Sequence, residues 1–192
     1  DHVGPARRAT PRRARRPPRV RAMLTAAELT LVAEEIRELA LHARLARVGQ
    51  PEDDAVVFRL KSDDGVERAL LIDASRAYPR AHFVAVAGAN PRKPPPFCEV
   101  LRARLSPSRL VDARVVPRER VLVLTFDVRD GETTARRDFV AELFGSKPNL
   151  FVLDSDRRTL AALHESADGA RAIRVGEIYE PTSGPPKDPA PR

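Results

Sequence analysis

Apolar residues between positions 25 and 40 recur at the three- and four-residue spacing that places them on one side of a helix. These residues are Leu29, Val32, Ala33, Ile36 and Leu39. Thr25, followed three residues later by Glu28, has the pattern of a capping box, in which each residue satisfies a backbone group of the other. The sequence therefore predicts an amphipathic helix over residues 25–40.

After this helix, the pattern changes to short β-type runs separated by turn residues. Strands are predicted at residues 44–48, 55–60, 67–72, 81–86, 110–116, 120–128, 134–143 and 150–153. Residues 62–65 and 129–131 are predicted hairpin turns, and Gly65 can take a positive φ there at little cost. Three prolines at 94–96 and the Ser106-Pro107 pair predict the start and end of a second helix.

Two of the predicted strands contain apolar residues at every position rather than at alternate positions. Residues 121–124 read Val-Leu-Val-Leu, and residues 150–153 read Leu-Phe-Val-Leu. Such runs indicate strands that are covered on both faces. We therefore predict an α+β, mainly β fold, with two antiparallel sheets packed as a β-sandwich and two flanking helices.

The net charge of +7 is not spread evenly along the chain. Residues 1–22 contain eight arginines and one acid, so residues 23–192 contain equal numbers of acids and bases. The Arg- and Pro-rich lead is predicted to be disordered. We interpret Met23 as the natural initiator and the lead as translated upstream sequence; the alternative is a basic arm that binds nucleic acid. The predicted domain spans residues 23–181, and residues 182–192 form a Pro-rich tail.

Several classes of protein are not favoured by the sequence. No apolar run approaches the roughly 18–20 residues of a membrane-spanning helix. The single cysteine, Cys98, cannot form an internal disulfide, which favours a cytoplasmic location, and we expect it to be a small buried hydrophobic residue. The four histidines are far apart, and we find no zinc-binding spacing, glycine-rich phosphate loop or nucleophile elbow. We expect a protein that is not an enzyme and that needs no metal or cofactor.

Several short motifs, taken together and in order, resemble the N-terminal domain of the NFACT family, also called fibronectin-binding protein A-like proteins. The resemblance extends from about Met23 to Tyr179. Its motifs are His42-Ala43-Arg44-Leu45, Gln50-Pro51, Arg80-Ala81-His82, Asn90-Pro91, Pro95-Pro96-Phe97-Cys98 leading into Leu101–Leu105, Glu119-Arg120, Ala141–Gly145 with Asn149, and Val175–Tyr179.

This resemblance implies a β-sandwich similar to the N-terminal domain of formamidopyrimidine-DNA glycosylases. It also implies a ribosome-quality-control function, in which family members bind the large ribosomal subunit and recruit alanyl-tRNA to extend a stalled chain without a template. The implied partners are tRNA and the large ribosomal subunit. The expected nucleic-acid-binding residues are Arg80, His82, Arg102, Arg104, Glu119 and Arg120. Because the chain ends just after this domain, we interpret it as a fragment or a truncated family member.

The sequence departs from the family pattern at two places. Glu119 replaces the usual aspartate of the acidic-Arg pair implicated in tRNA recruitment, and Ser-Lys-Pro at 146–148 replaces a common Arg-His-Ser. Both departures affect whether alanyl-tRNA recruitment is retained.

Charge offers partial and independent support for an RNA-binding face. Residues 100–120 contain six arginines and two acids, a local excess of +4. The alternative is that this excess reflects the general preference of the chain for arginine over lysine. His82 can stack on a base or contact phosphate, or it can be structural. Gly145, Asn149, Gly176 and Tyr179 are interpreted as turn and packing residues.

Two other functions remain open at this point. A glycosylase-related domain would bind nucleic acid, but Met23-Leu24-Thr25 at the expected start lacks the N-terminal proline nucleophile of those enzymes. A fibronectin-binding adhesin would require export and an anchor, and the sequence displays neither feature.

Overall fold

The computed structural model describes residues 24–167 and 171–181. These residues form two helices and nine strands, which are α1 (Ala26–Ala40), β1 (Arg44–Glu52), β2 (Ala55–Lys61), β3 (Glu67–Asp73), β4 (Arg80–Val84), α2 (Pro96–Leu105), β5 (Ser108–Val115), β6 (Val121–Asp130), β7 (Thr133–Glu142), β8 (Asn149–Leu153) and β9 (Thr159–Ala162). The predicted disordered lead, the proposed start at Met23 and the Pro-rich tail lie outside the described residues. The domain boundaries therefore stay predictions.

The first helix begins with the predicted capping box. The Glu28 backbone N–H donates to Thr25 Oγ1 at 3.1 Å, and the Thr25 backbone N–H donates to Glu28 Oε2 at 2.7 Å. The apolar side of α1 is buried at Leu29, Ala33 and Ile36. Both helix predictions are confirmed, and α2 ends at its predicted stop, with Ser106 as the C-cap.

The nine strands form one antiparallel sheet in the order β4-β3-β2-β1-β5-β6-β7-β8-β9. Its first half (β1–β4) and second half (β5–β9) meet where Arg44 pairs with Arg109. The sheet also folds onto itself, because the Phe58 ring of β2 contacts the rings of Phe126 and Phe139 in the second half, at centroid distances of 5.9 and 4.8 Å. The α+β, mainly β class is confirmed, whereas the two predicted sheets are the halves of one continuous sheet. Similarity to the glycosylase domain stays a prediction.

Apolar residues cover both faces of the central strands, as predicted from the uninterrupted runs. Leu122, Leu124 and Val152 belong to the main core, which lies between the sheet halves and the helices. The opposite face of β6, β7 and β8 carries a second, smaller cluster, composed of Val121, Val123, Val140, Phe151, Leu153 and Tyr179. This cluster exists because residues 171–181 return to cover that face.

The returning segment is held by a buried polar contact at the end of β7. The Tyr179 hydroxyl donates to Glu142 Oε1 at 2.6 Å, and the Arg171 guanidinium donates to both carboxylate oxygens of Glu142 at 2.9 Å. Glu142 is only 4% exposed, so its charge is compensated inside the protein. Burial, followed by the charge of Glu142, raises the pKa of Tyr179 well above its ordinary value of 10.0.

The residues interpreted as turn and packing residues have that role. The side chain of Asn149 accepts from the backbone N–H groups of Leu150 and His164, and donates to the His164 carbonyl at 2.8 Å. Gly145 and Gly176 have φ values of 74° and 91°, a region that disfavours residues with a Cβ.

Candidate nucleic-acid interface

The tight turn between β5 and β6 carries the acidic-Arg pair. The Glu119 backbone N–H donates to the Val116 carbonyl at 3.0 Å, which closes the turn around Pro117 and Arg118. Strand β6 begins at Val121, so Glu119 and Arg120 precede the strand in which Arg120 was predicted to lie. Proline suits the second position of such a turn, but its neighbour Arg118 has a left-handed φ of 64°, which is uncommon for a residue with a side chain.

A second backbone contact fixes this turn against the neighbouring strand. The Leu143 N–H donates to the Arg120 carbonyl at 2.8 Å. Leu143 follows Glu142, the residue that holds Arg171 and Tyr179. The turn is therefore anchored to β7 at the point where the C-terminal segment is also anchored.

Side chains of the turn have unused hydrogen-bonding groups. Within residues 24–167 and 171–181, no hydrogen bond or ion pair involves the guanidinium of Arg118 or Arg120. Glu119 Oε2 is buried and has no hydrogen-bond partner. Arg118 and Arg120 thus offer planar donor forks that suit phosphate oxygens, whereas Glu119 Oε2 is shielded from solvent and can accept from a ligand only after its side chain rotates outward.

The Arg80 guanidinium is held by contacts within the protein. Its Nη1 lies 3.1 Å from Asp73 Oδ2, and the Asp73 side chain is 5% exposed. The guanidinium also lies over the Tyr78 ring, 5.1 Å from the centroid. Arg80 therefore compensates a buried carboxylate, which is a structural role on its own.

His82, on the same strand as Arg80, is half-buried. Burial is the main cause that lowers its pKa, and Arg80 lowers it further, while Asp73 and Glu35 act in the opposite direction. A lowered pKa favours the neutral ring at neutral pH. This favours the structural interpretation of His82 over phosphate binding.

The two predicted arginines of α2 differ from each other. Arg102 Nε donates to the Val48 carbonyl at 3.0 Å, on the side of β1 that lies against α2. Arg104 is exposed; its carbonyl accepts a hydrogen bond from Arg137, and its guanidinium has no partner among the described residues. Arg104 alone of these two is available to a ligand.

The fold separates the arginine cluster of residues 100–120. Arg104 lies just before β5 and Arg120 just after it, and eight strand residues extend about 25 Å. Arg109 pairs with Asp63, and Arg114 with Asp112 and Asp138. The structure therefore does not bring the predicted residues into one surface. The candidate site is defined by the arginines of the turn, whose guanidiniums have no partner in the described part of the chain.

A cleft that the sequence did not reveal lies beside β5, β6 and β7. Its volume is about 330 Å³, and its lining residues are Val111, Asp112, Arg114, Thr125, Arg136, Asp138, Asp154, Ser155 and Arg157. Arg114 donates to Thr125 Oγ1, which in turn donates to Asp138 at 2.7 Å. Three arginines and three aspartates balance each other, so the cleft presents no net charge. The only sequence signal for this cleft was the alternation of polar and apolar residues along β5 and β7.

Comparison with known proteins identifies the class to which this fold and turn belong. The family model for NFACT N-terminal and middle domains matches residues 25–191. The chain therefore belongs to the NFACT family, as its motifs indicated.

Two proteins of known sequence are similar to this chain over most of its length. The chain is 26% identical over 155 residues to the Rqc2 homolog RqcH of Bacillus subtilis (strain 168), covering 78% of this chain and 27% of that protein. It is 25% identical over 169 residues to the archaeal Rqc2 homolog aRqcH of Methanocaldococcus jannaschii, covering 86% of this chain and 24% of that protein. The chain thus spans about a quarter of the length of these relatives.

Solved structures share the fold. The N-terminal domain of the fibronectin-binding protein PavA from Streptococcus pneumoniae matches with a TM-score of 0.78 at 20% identity, covering 84% of this chain and 65% of that chain. The fibrinogen-binding protein from Staphylococcus aureus matches with a TM-score of 0.71 at 20% identity, covering 83% and 57%. No helix within the described residues is long and apolar enough to cross a membrane.

Proposed function

We propose that the chain is an RNA-binding module of the ribosome-quality-control type. In this proposal it contacts tRNA and the large ribosomal subunit in the cytoplasm, and it supports template-free tailing of stalled nascent chains. Membership of the NFACT family and similarity to Rqc2 homologues support the assignment. The proposal assigns binding, and no catalysis, to the described residues.

The β5–β6 turn is the observation that carries the proposal. Neither of its two guanidiniums has a hydrogen-bond or ion-pair partner among the described residues, while its backbone is bonded to Val116 and Leu143, the residues that follow β5 and β7. An anchored turn loses little backbone conformational entropy on binding, so the remaining entropic cost is that of ordering the arginine side chains. The left-handed φ of Arg118 is a strained conformation, and such strain is concentrated at functional sites.

Each side chain of the turn has a distinct role in this proposal. Arg120 binds a phosphate of the tRNA through its donor fork. Glu119, whose buried Oε2 lacks a partner, rotates outward on binding and accepts a hydrogen bond from a ribose hydroxyl or an exocyclic amine of the same nucleotide region. Arg118 adds a second positive charge at the exposed tip of the turn.

The other predicted residues contribute less directly. Arg104 is exposed about 25 Å away along β5, so it would contact a separate part of the RNA. Arg80 and Arg102 stabilise the fold rather than contact RNA, since Arg80 pairs with Asp73 and Arg102 donates to the Val48 carbonyl.

Binding of labelled tRNA by the parent chain and by two matched variants tests the proposal. Arg120→Ala should weaken affinity by about 1–3 kcal/mol, which is roughly a factor of 5 to 150. The control is Arg129→Ala, an exposed arginine at the opposite end of β6 whose guanidinium has no partner within the described residues. Equal affinity of the parent and Arg120→Ala at low salt, or an equal loss in both variants, would contradict the assignment.

A further inference from the structure

The face of β1 and β2 that points away from the main core carries two cross-strand pairs of cations. Arg44 is opposite Lys61, and Arg47 is opposite Arg59. The next strand, β5, places Arg109 opposite Arg44. Residues that pair directly across an antiparallel ladder project to the same face. Arg44, Arg47, Arg59, Lys61 and Arg109 therefore share one surface, here called the cation face.

The register places this face on the outside of the folded sheet. The intervening pairs of the same ladder, Leu45–Leu60 and Val48–Phe58, belong to the main core. A shift in register between Leu45 and Arg47 keeps both cation pairs on the side opposite the core. Arg44 and Arg47 are exposed, and Lys61 is half-buried.

The charges of the cation face are only partly compensated. Arg59 pairs with Glu67 at 3.1 Å, and Arg109 pairs with Asp63 at 3.1 Å. No ion pair or side-chain hydrogen bond within the described part of the chain involves Arg44, Arg47 or Lys61. Among the described residues, three cations thus have no ion-pair partner, although Glu67, which binds Arg59, also lies directly opposite Lys61 on β3.

The stability of the fold does not explain why the two cross-strand cation pairs are present. Like charges directly opposite each other on a sheet are destabilising. A general preference for arginine explains the residue type, but it does not explain why two cation pairs lie on one face. A bound polyanion would compensate all these charges together. The repulsion between the cations in the free protein would then be replaced by attraction to the ligand.

We propose that the cation face binds the phosphate backbone of RNA. Arg59 and Lys61 lie two residues apart on β2, so the two rows of cations are separated by about 7 Å and can contact successive phosphates. Guanidinium forks suit phosphate oxygens, and contacts to phosphates position a protein on RNA without reading base edges. The inference rests on the proposed RNA-binding function and adds to it a second contact, independent of the β5–β6 turn and of RNA sequence.

The test measures how salt affects RNA binding by the full chain. Arg47→Gln combined with Lys61→Gln removes one charge from each pair, and the probes are tRNA and an RNA hairpin of unrelated sequence. The plot of log affinity against log salt should become shallower by about 2 for both probes, because two phosphate contacts are lost. Urea unfolding should show that this variant is at least as stable as the parent, because like-charge contacts have been removed.

The control is Arg37→Gln combined with Arg174→Gln, which removes the same charge from exposed positions on α1 and within the returning segment of residues 171–181, where Arg174 lies 3.9 Å from Glu177. The salt slope of this control should match that of the parent. An unchanged slope in Arg47→Gln/Lys61→Gln, while the parent binds RNA, would overturn this inference and leave the proposed function intact. A parent that binds neither RNA would overturn both. Tighter binding of the parent to phosphatidylserine vesicles than to RNA, lost in the same variant, would assign the face to lipid instead.

Discussion

The Tyr179 hydroxyl donates a 2.6 Å hydrogen bond to Glu142, and Leu143, the residue after Glu142, binds the carbonyl of Arg120. One short stretch at the end of β7 therefore holds both the C-terminal segment and the turn of the candidate site. Arg171 strengthens this junction, since its guanidinium lies 5.0 Å from the Tyr179 ring centroid and also binds Glu142. Stability of the segment and geometry of the turn are linked through adjacent residues.

Tyr179→Phe should reduce the free energy of unfolding by about 2 kcal/mol, because it removes a buried hydrogen bond to a charged group. Urea denaturation measures this change. The matched control is Tyr78→Phe, since the Tyr78 side chain is 40% exposed and its hydroxyl forms no hydrogen bond among the described residues. A Tyr179→Phe variant as stable as Tyr78→Phe would show that the junction contributes nothing to folding.

The stabilising effect of the Tyr179 hydroxyl should depend on pH. Burial, with Glu142, raises the pKa of Tyr179 above its ordinary value of 10.0, so the folded protein keeps a proton that the unfolded chain loses. The contribution is fully present below about pH 10 and declines as pH rises further, by about 1.4 kcal/mol per pH unit. Unfolding of the parent and Tyr179→Phe, compared between pH 8 and 11, should show their stability difference narrowing only above about pH 10. A difference that is constant over this range would refute the burial of an un-ionised phenol.

Arg118→Gly should separate stability from binding at the β5–β6 turn. Glycine accepts the φ of 64° without strain, so the variant should be more stable by about 0.5–1 kcal/mol. Loss of the exposed guanidinium should nevertheless weaken tRNA binding. Thermal unfolding and tRNA titration of the same preparation measure both quantities. A variant that gains stability and retains full affinity would remove Arg118 from the site.

Local features of the fold could be predicted well from the sequence. The Thr25–Glu28 capping box, the second helix and the burial of Cys98 depend on neighbouring residues and periodicity, and the structure confirms all three. Strand β9 was not predicted, because the four residues Thr159–Ala162 are too few to show alternation. Their pairing with β8 comes from tertiary structure.

Long-range relationships could not be predicted in the same way. The continuous sheet depends on the contact of Arg44 with Arg109, and neither residue carries a signal for that pairing. The arginine excess of residues 100–120 was counted along the chain, but β5 carries its members to opposite ends of a strand. Arg44 and Lys61 are separated by a similar length of chain, yet they lie next to each other on one face. Charge acts through space, so its functional grouping becomes visible only after the register is known.

Backbone amide NMR shifts of the full chain, followed during titration with tRNA, test whether the β5–β6 turn contacts tRNA. We expect the largest shifts at residues 118–120, with a second, weaker set on the cation face. Both sets should diminish as salt increases, because phosphate contacts release counterions. Saturable tRNA binding that leaves residues 118–120 unshifted, with changes confined to other parts of the sheet, would contradict this expectation.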